Sequence, residues 1–186
     1  ESFAPVGWGW TALIPGFGLL TDQFPDPALH IWSYDAGRLT PAAYGPGGRV
    51  PLKPFCGTIG VALAEPGTHS IVPPRRGGGN MDIRDLGAGT ALHLPVEVAG
   101  ALFSVGDTHA TQGDGEVGGT AIESAMRVAL TFDLVKGAGL PFPRFETSGP
   151  VTRHFDEKGY FVTTGIGPDL WECARAEFYF PKVVFD

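Results

Sequence analysis

The segment Ala101–Glu116, ALFSVGDTHATQGDGE, contains most of the chain's candidate metal-binding and proton-transferring side chains. It begins with a mostly apolar run, and alternate side chains of an extended strand point to the same face. Burying an acid or an imidazole on a core-facing side costs free energy unless the group is paired or binds a metal. The stretch therefore predicts a core-facing strand that ends in a paired or metal-binding group. The residues predicted to share that face are Phe103, Val105, Asp107 and His109.

Two acids follow this strand at the same two-residue spacing, Asp114 and Glu116. Asp-Gly is a common turn pair, and acids in turns are usually solvated. Two acids close to a histidine also fit a site in which one binds a metal and the other carries protons. From the residues alone, Asp107 and His109 fit equally well a turn-capping acid beside a satisfied polar histidine, or a pair of metal ligands.

The remainder of the chain is predicted to be rich in β-strands. Apolar residues alternate with polar or small ones over Ala125–Val135, which indicates a strand, and Phe55–Ala64 is apolar enough for a buried one. Asp169–Ala176, preceded by Pro168, has a short helical pattern. With 28 glycines and 17 prolines in 186 residues, we predict one mostly β domain over 1–186, sandwich or barrel-like, with a minor helical segment. Further strands are predicted within Val6–Leu20, Ala28–Tyr34, Thr90–Val98, Gly100–His109 and Gly159–Thr164.

Composition argues against several classes of partner. The net charge of −7 and pI of about 5.1 disfavour nucleic acid, because phosphate binding needs a basic surface. No apolar run approaches the length of a membrane span. Two cysteines do not make a disulfide framework; Cys56 is predicted to be a small buried core residue, and Cys173 lies in the helical pattern. We expect a cytoplasmic protein that forms a homodimer or higher homo-oligomer.

A glycine-rich loop leads into two more candidate site residues. Gly77–Gly79 would let the backbone approach a site, and Asn80 or Asp82 would then offer an oxygen atom. The other interpretation is a hinge with solvated polar residues. Trp8 fits a core position or a pocket wall, because aromatic residues commonly line small-molecule pockets. His93 is the strongest of the other histidines, since its strand precedes the site strand.

The run GGNMDIRDLGAGTALHLPVEVAGALFSVGDTHATQGDGEVGGTAIE, Gly78–Glu123, resembles the acetamidase/formamidase family of amide hydrolases. The likeness extends over nearly the whole chain. It departs from the family pattern at Thr108, where relatives usually have glycine, and at Gly118, where they often have cysteine. Four further segments show the same resemblance: VGWGWTALIPGFG (Val6–Gly18), FPDPALHIW (Phe24–Trp32), PPRRGGGNMD (Pro73–Asp82) and RFETSGPVT...FDEKGYFVTTGIGPDL (Arg144–Leu170).

The resemblance implies a metal-dependent site that hydrolyses short linear amides to a carboxylate and ammonia. The predicted metal ligands, for zinc or calcium, are Asp82, Asp107, His109 and Glu116. Glu116 and Asp114 are the candidates for moving protons, and Asn80 and Trp8 are the predicted substrate-binding residues. Metal-activated water is the economical nucleophile, because the chain has no Gly-x-Ser-x-Gly elbow and apolar surroundings raise the thiol pKa of a residue such as Cys56.

Two other functions remain open from the sequence. One is hydrolysis of a cyclic amide, a lactam, at the same site. The other is a non-catalytic β-rich domain that binds a small molecule and uses the acids for a structural calcium.

The helical pattern Asp169–Ala176 meets the β-like Glu177–Phe185 without a stop signal such as glycine. In the family the resemblance points to, a helical segment lies at this place, and a β-rich region precedes the equivalent of Val6. We therefore expect that Ala176 and Glu177 are not covalent neighbours in the native chain and that Glu1 is not its natural start.

Overall fold

The structure is a computed structural model that describes residues 2–38, 42–147 and 161–169. Their regular structure is almost wholly β, with one turn of 3₁₀ helix at Asp114–Glu116, so the prediction of a mostly β protein is confirmed. In chain order the strands are β1 (Ser2–Pro5), β2 (Trp8–Leu13), β3 (Ala28–Ser33), β4 (Ala42–Tyr44), β5 (Gly48–Val50), β6 (Phe55–Gly60), β7 (Gly78–Asn80), β8 (Ala91–His93), β9 (Ser104–Thr111), β10 (Ile122–Glu123), β11 (Met126–Ala129), β12 (Arg144–Glu146) and β13 (Phe161–Thr163).

The chain forms two compact units, and the first comprises Glu1–Thr58, Asp82–Gly89 and Val105–Asp133. Its main sheet runs in the order β3-β2-β10-β9-β6. The short strand β10 joins β2 to β9, so that Glu123 stands opposite Trp10 on one side and His109 on the other. Two antiparallel pairs complete this unit, β1 with β11 and β4 with β5.

The core of the first unit lies beside this sheet. Trp32, Ala42, Ala110 and Ile122 form one buried cluster. The rings of His30 and Trp32 meet edge to face at 4.5 Å between centroids. Cys56 is fully buried, as predicted.

The second unit comprises Ile59–Met81, Thr90–Ser104 and Leu134–Asp186. Here β12 lies between β8 and β13 with antiparallel register on both sides. Arg76 bridges two acids, Glu65 and Glu97. The described part of the chain contains no helix long and apolar enough to cross a membrane.

The site strand differs from its prediction. Ala101 and Leu102 have positive φ angles, so the apolar run before residue 104 forms a turn instead of a strand. Val105 is 41% exposed, and only the end of β9, from His109, is buried. Asp107 also has a positive φ, 50°. A left-handed residue interrupts the strand's alternation, so the four predicted residues do not share one core-facing side.

Two other predicted elements change. The strand preceding the site strand, β8, pairs with β12 instead of β9, so His93 stands beside Glu146 at 3.6 Å. The strand predicted over Ala125–Val135 ends at Ala129, where its pairing with β1 ends. The helical pattern lies outside the described residues beyond Asp169, as do Cys173 and the junction of residues 176 and 177.

Candidate metal centre

The buried imidazole of His109 is the centre of a polar cluster in the first unit. His109 is fully buried, and its ring meets the ring of Phe55 edge to face at 5.0 Å. Nδ1 lies 2.8 Å from Oε1 of Gln112. Since an amide oxygen only accepts hydrogen bonds, Nδ1 carries a proton and donates it to Gln112. The other ring nitrogen, Nε2, faces the acids.

Carboxylates surround Nε2 of His109. It lies 3.2 Å from Oδ1 of Asp107, 3.3 Å from Oε2 of Glu123 and 3.9 Å from Oε1 of Glu116. The potential ligand atoms form two groups, each with all atoms within 4.8 Å of one another: Asp82, Asp107 and His109 in one, and His109, Glu116 and Glu123 in the other. Among the described residues, no lysine or arginine forms an ion pair with any of these four acids. So many acids around one imidazole favour a bound cation.

Three of the acids have left-handed backbone conformations. The φ angles are 49° at Asp82, 50° at Asp107 and 44° at Glu116. For a residue other than glycine such a conformation costs about 1–3 kcal/mol and persists only where the surroundings enforce it, as they often do at functional sites. The backbone therefore directs these side chains to the cluster at an energetic cost, which is typical of a site and not of solvated turns.

Gly57 makes room for the cluster. A Cβ atom on Gly57 would lie 2.5 Å from Oδ1 of Asp82, 2.8 Å from Cε1 of His109 and 2.9 Å from Oδ2 of Asp107. The absence of a side chain thus leaves a concave space that three potential ligands face. Oδ1 of Asp82 is buried and has no hydrogen-bond partner within the described structure. A buried carboxylate oxygen without a partner is costly, and a cation beside it would remove that cost.

The cluster shifts the pKa values of its members. Burial alone would lower the pKa of His109, but hydrogen bonds and charge from Asp107 and Glu123 raise it to about 10. The hydrogen bond with His109 holds the pKa of Asp107 below its usual range. Burial, together with the negative charge of Asp82, raises the pKa of Glu116 to about 7. Burial also raises the pKa of Asp82. Without a metal, protonated His109 provides the cluster's positive charge.

Comparison with known proteins identifies the family of the chain. The sequence profile of the Acetamidase/Formamidase family matches residues 62–173. The chain belongs to this family. Its relatives include the acetamidase of Mycolicibacterium smegmatis, which is 31% identical over 182 residues, an alignment that covers 70% of this chain and 45% of that protein.

Solved structures of similar proteins have the same fold. An acetamidase from Yersinia enterocolitica superposes with a TM-score of 0.78 at 31% identity, covering 96% of this chain and 53% of that one. A gamma lactamase from Delftia acidovorans gives a TM-score of 0.64 at 29% identity, covering 80% of this chain and 50% of that one. This member of the acetamidase/formamidase family thus spans about half the length of the relatives it matches.

The structure brings together the four predicted metal ligands, Asp82, Asp107, His109 and Glu116. Asp114, the other predicted acid, is not in either group. Asp114 is 82% exposed and pairs with Arg84 at 2.9 Å, because the 3₁₀ turn directs it away from Glu116.

The two predicted substrate-binding residues belong to different units of the chain. Asn80 belongs to the second unit, where its side-chain amide donates to the carbonyl of Val72 at 3.0 Å. Trp8 is in β2 with an exposed indole. Their roles stay predictions.

Two members of the site were missed in the sequence. Glu123 reaches His109 because β10 pairs with β9, with these two residues in register. A lone acid inside the apolar segment Ala121–Met126 was the available signal. Gly57 interrupts the buried strand β6, and a glycine within a strand often marks a close approach of other groups.

Proposed function

We propose that the protein hydrolyses short linear amides, such as formamide and acetamide, to a carboxylate and ammonia at a divalent-cation site built on His109. The observation that carries this proposal is the group of four carboxylates around one imidazole, with the concave space beside Gly57 and the unpartnered Oδ1 of Asp82. The family name of its relatives supplies the substrate class.

Asp82, Asp107 and His109 are the residues that would hold the cation. Nε2 has one lone pair and serves only one of the two donor groups. The group with Asp82 contains the oxygen atom that has no partner and borders the space at Gly57. An imidazole with carboxylates suits zinc better than calcium, which prefers six to eight oxygen ligands. Such a cation, when bound, would polarise the amide carbonyl and lower the pKa of water.

Glu116 is the group that moves the proton. Hydrolysis forms a bond between water oxygen and the carbonyl carbon, breaks the C–N bond and delivers a proton to the leaving nitrogen. Without a metal, the pKa of Glu116 is raised to about 7, close to the value at which a general acid–base works best near neutral pH. Glu116 accepts the proton from water at a carboxylate oxygen and donates it to the nitrogen. Asp114, which faces solvent and Arg84, takes no part in this scheme.

The test measures ammonia release from formamide and acetamide by the metal-loaded and chelator-treated protein. Chelation should abolish turnover, and Glu116→Gln should lower it by about 10²-fold or more with the fold intact. Glu65→Gln, an equal change at an exposed residue, should be neutral. Full turnover without metal would refute the cation site. If Asp114→Asn lowers turnover as much as Glu116→Gln does, the assignment of proton transfer to Glu116 and not to Asp114 would be wrong.

A second candidate is hydrolysis of a γ-lactam at the same cluster, favoured by the likeness to the gamma lactamase. The same assay with a γ-lactam, followed as ring opening, separates the two. Linear amides should react faster if the first proposal holds. Bound calcium without turnover of either substrate would indicate the non-catalytic binding domain.

A further inference from the structure

One side chain, Gln112, forms hydrogen bonds with two of the proposed ligand residues, His109 and Asp82. Its Oε1 accepts from Nδ1 of His109 at 2.8 Å, and its Nε2 donates to the backbone carbonyl of Asp82 at 2.8 Å. Gln112 follows the end of β9, three residues after His109 and thirty residues after Asp82. It thereby joins two segments that lie far apart in the chain.

The bond to His109 fixes which ring nitrogen is available to a cation. A neutral imidazole has one protonated nitrogen and one lone pair, and the partner of one nitrogen decides the state of the other. With Oε1 of Gln112 accepting from Nδ1, the lone pair of the neutral ring must lie on Nε2. Nε2 is the atom that faces Asp107. The amide therefore selects the tautomer that the site needs.

The bond to Asp82 fixes a strained backbone. Asp82 has a φ angle of 49°, and its amide nitrogen donates to the carbonyl of Gly57 at 3.1 Å. Gln112 holds the carbonyl at the other side of the same residue. With both backbone groups held, the Cα–Cβ bond of Asp82 keeps one direction, and that direction brings Oδ1 to the space beside Gly57.

We propose that Gln112 is a positioning residue that sets both the tautomer of His109 and the placement of Asp82, and so determines the affinity of the site for a divalent cation. This inference rests on the proposed cation site. It does not require Gln112 to touch the substrate. A purely structural glutamine would contribute to folding stability but would leave the His109 tautomer and the cation affinity unchanged.

The test compares Gln112→Met with the same change at the chain's other glutamine, Gln23, which is exposed. Gln112 borders a cavity of about 470 Å³, so the isosteric methionine has room. Titration of chelator-stripped protein with zinc should give a dissociation constant about 10- to 100-fold higher for Gln112→Met than for wild type. Gln23→Met should match wild type. Thermal unfolding shows whether each variant is folded.

Nitrogen-15 NMR of the His109 ring provides a reading that is independent of zinc. In stripped wild-type protein, where both nitrogens of His109 carry protons, the Nδ1 proton should be protected from exchange with water by its hydrogen bond to Gln112, and Gln112→Met should lose that protection. If Gln112→Met does not fold, Gln112→Asn, which keeps the amide but is too short to reach both partners, should show the same two effects. Wild-type zinc affinity and an unchanged Nδ1 signal in either folded variant would overturn the proposal. Absence of zinc binding by wild type would instead overturn the proposed function, whatever the NMR signal.

Discussion

At the scale of single residues, the cluster depends on backbone conformations that other parts of the first unit hold in place. Asp82 is held by Gly57 and Gln112, and the carbonyl of Glu116 accepts from the amide of Gly119 at 2.7 Å. These bonds offset the cost of left-handed φ angles at both acids. These hydrogen bonds hold the acids through the protein's own backbone, and a site held in this way needs less reorganisation to bind a cation.

Gly57→Ala should separate folding from metal binding. The φ angle of Gly57 is not in the left-handed region, so alanine suits the backbone, but its methyl group would displace the ends of three ligand side chains. We expect a folded protein whose zinc affinity is lower by at least about tenfold, measured by titration calorimetry. Gly106→Ala is the matched control, because its Cβ would meet nothing within 4 Å. Wild-type affinity in Gly57→Ala would place the cation elsewhere.

The raised pKa of Glu116 predicts how the free energy of unfolding of the metal-stripped protein depends on pH. Its pKa is about 7 in the folded state and 4.5 in the reference state. The folded state retains the proton over that interval while the unfolded state releases it, so the free energy of unfolding falls as pH rises from about 4.5 to 7. Urea unfolding across this range should show a smaller fall for Glu116→Gln than for wild type. Parallel curves for the two proteins would contradict the raised pKa, and Glu65→Gln should parallel wild type.

At the scale of elements, the sequence predicts strands well where local pattern alone decides them. The alternation over Ala28–Tyr34 predicted β3, and the apolar run from Phe55 predicted β6. Prediction from the local pattern fails where distant parts of the chain determine the pairing of a strand or the conformation of its backbone. The partner of β8 is β12, some fifty residues away, and no local signal names it. Likewise, the positive φ angle of Asp107 interrupts the two-residue alternation of a strand, and the alternation of apolar and polar residues does not predict it.

The candidate site shows the same division. Asp107, His109 and Glu116 lie in one short segment and could be predicted together. Glu123 depends on the register of β10 with β9, a property of two strands and not of one. Gly57 has no chemistry of its own and is recognised only by what surrounds it.

The link between β2, β3 and the β10–β11 connection is predicted to depend on Ser124. Its buried hydroxyl donates to the carbonyl of Trp8 at 2.9 Å and accepts from Tyr34 at 2.6 Å. Ser124→Ala should lower the free energy of unfolding by about 1–2 kcal/mol, measured by urea denaturation. Ser33→Ala, an equal change at an exposed position of β3, should cost little. A neutral Ser124→Ala would mean that the hydroxyl network adds nothing to stability.

At the scale of the whole molecule, the described surface of the first unit carries an apolar region that the proposed chemistry does not use. Its exposed residues lie in the segment after β2 and just after the 3₁₀ turn, and all of them except Leu19 border a cavity of about 230 Å³. The two segments are joined where the amide of Leu19 donates to the carbonyl of Val117 at 2.9 Å. Its members are Ile14, Phe17, Leu19, Phe24 and Val117.

This apolar region predicts self-association. Contiguous exposed apolar surface on a globular protein usually marks an interaction site, and Leu19 is 75% exposed. We expect sedimentation velocity to show a species heavier than the 19.6 kDa chain, and we expect Leu19→Asp and Phe24→Asp to shift it towards the monomer, because a buried unpaired carboxylate opposes association. Ile71→Asp, at an exposed apolar residue of the second unit, is the matched control and should leave the distribution unchanged. A wild-type protein that sediments as a monomer at every concentration would contradict the prediction. An equal effect of Ile71→Asp would show that added charge, and not this region, governs association.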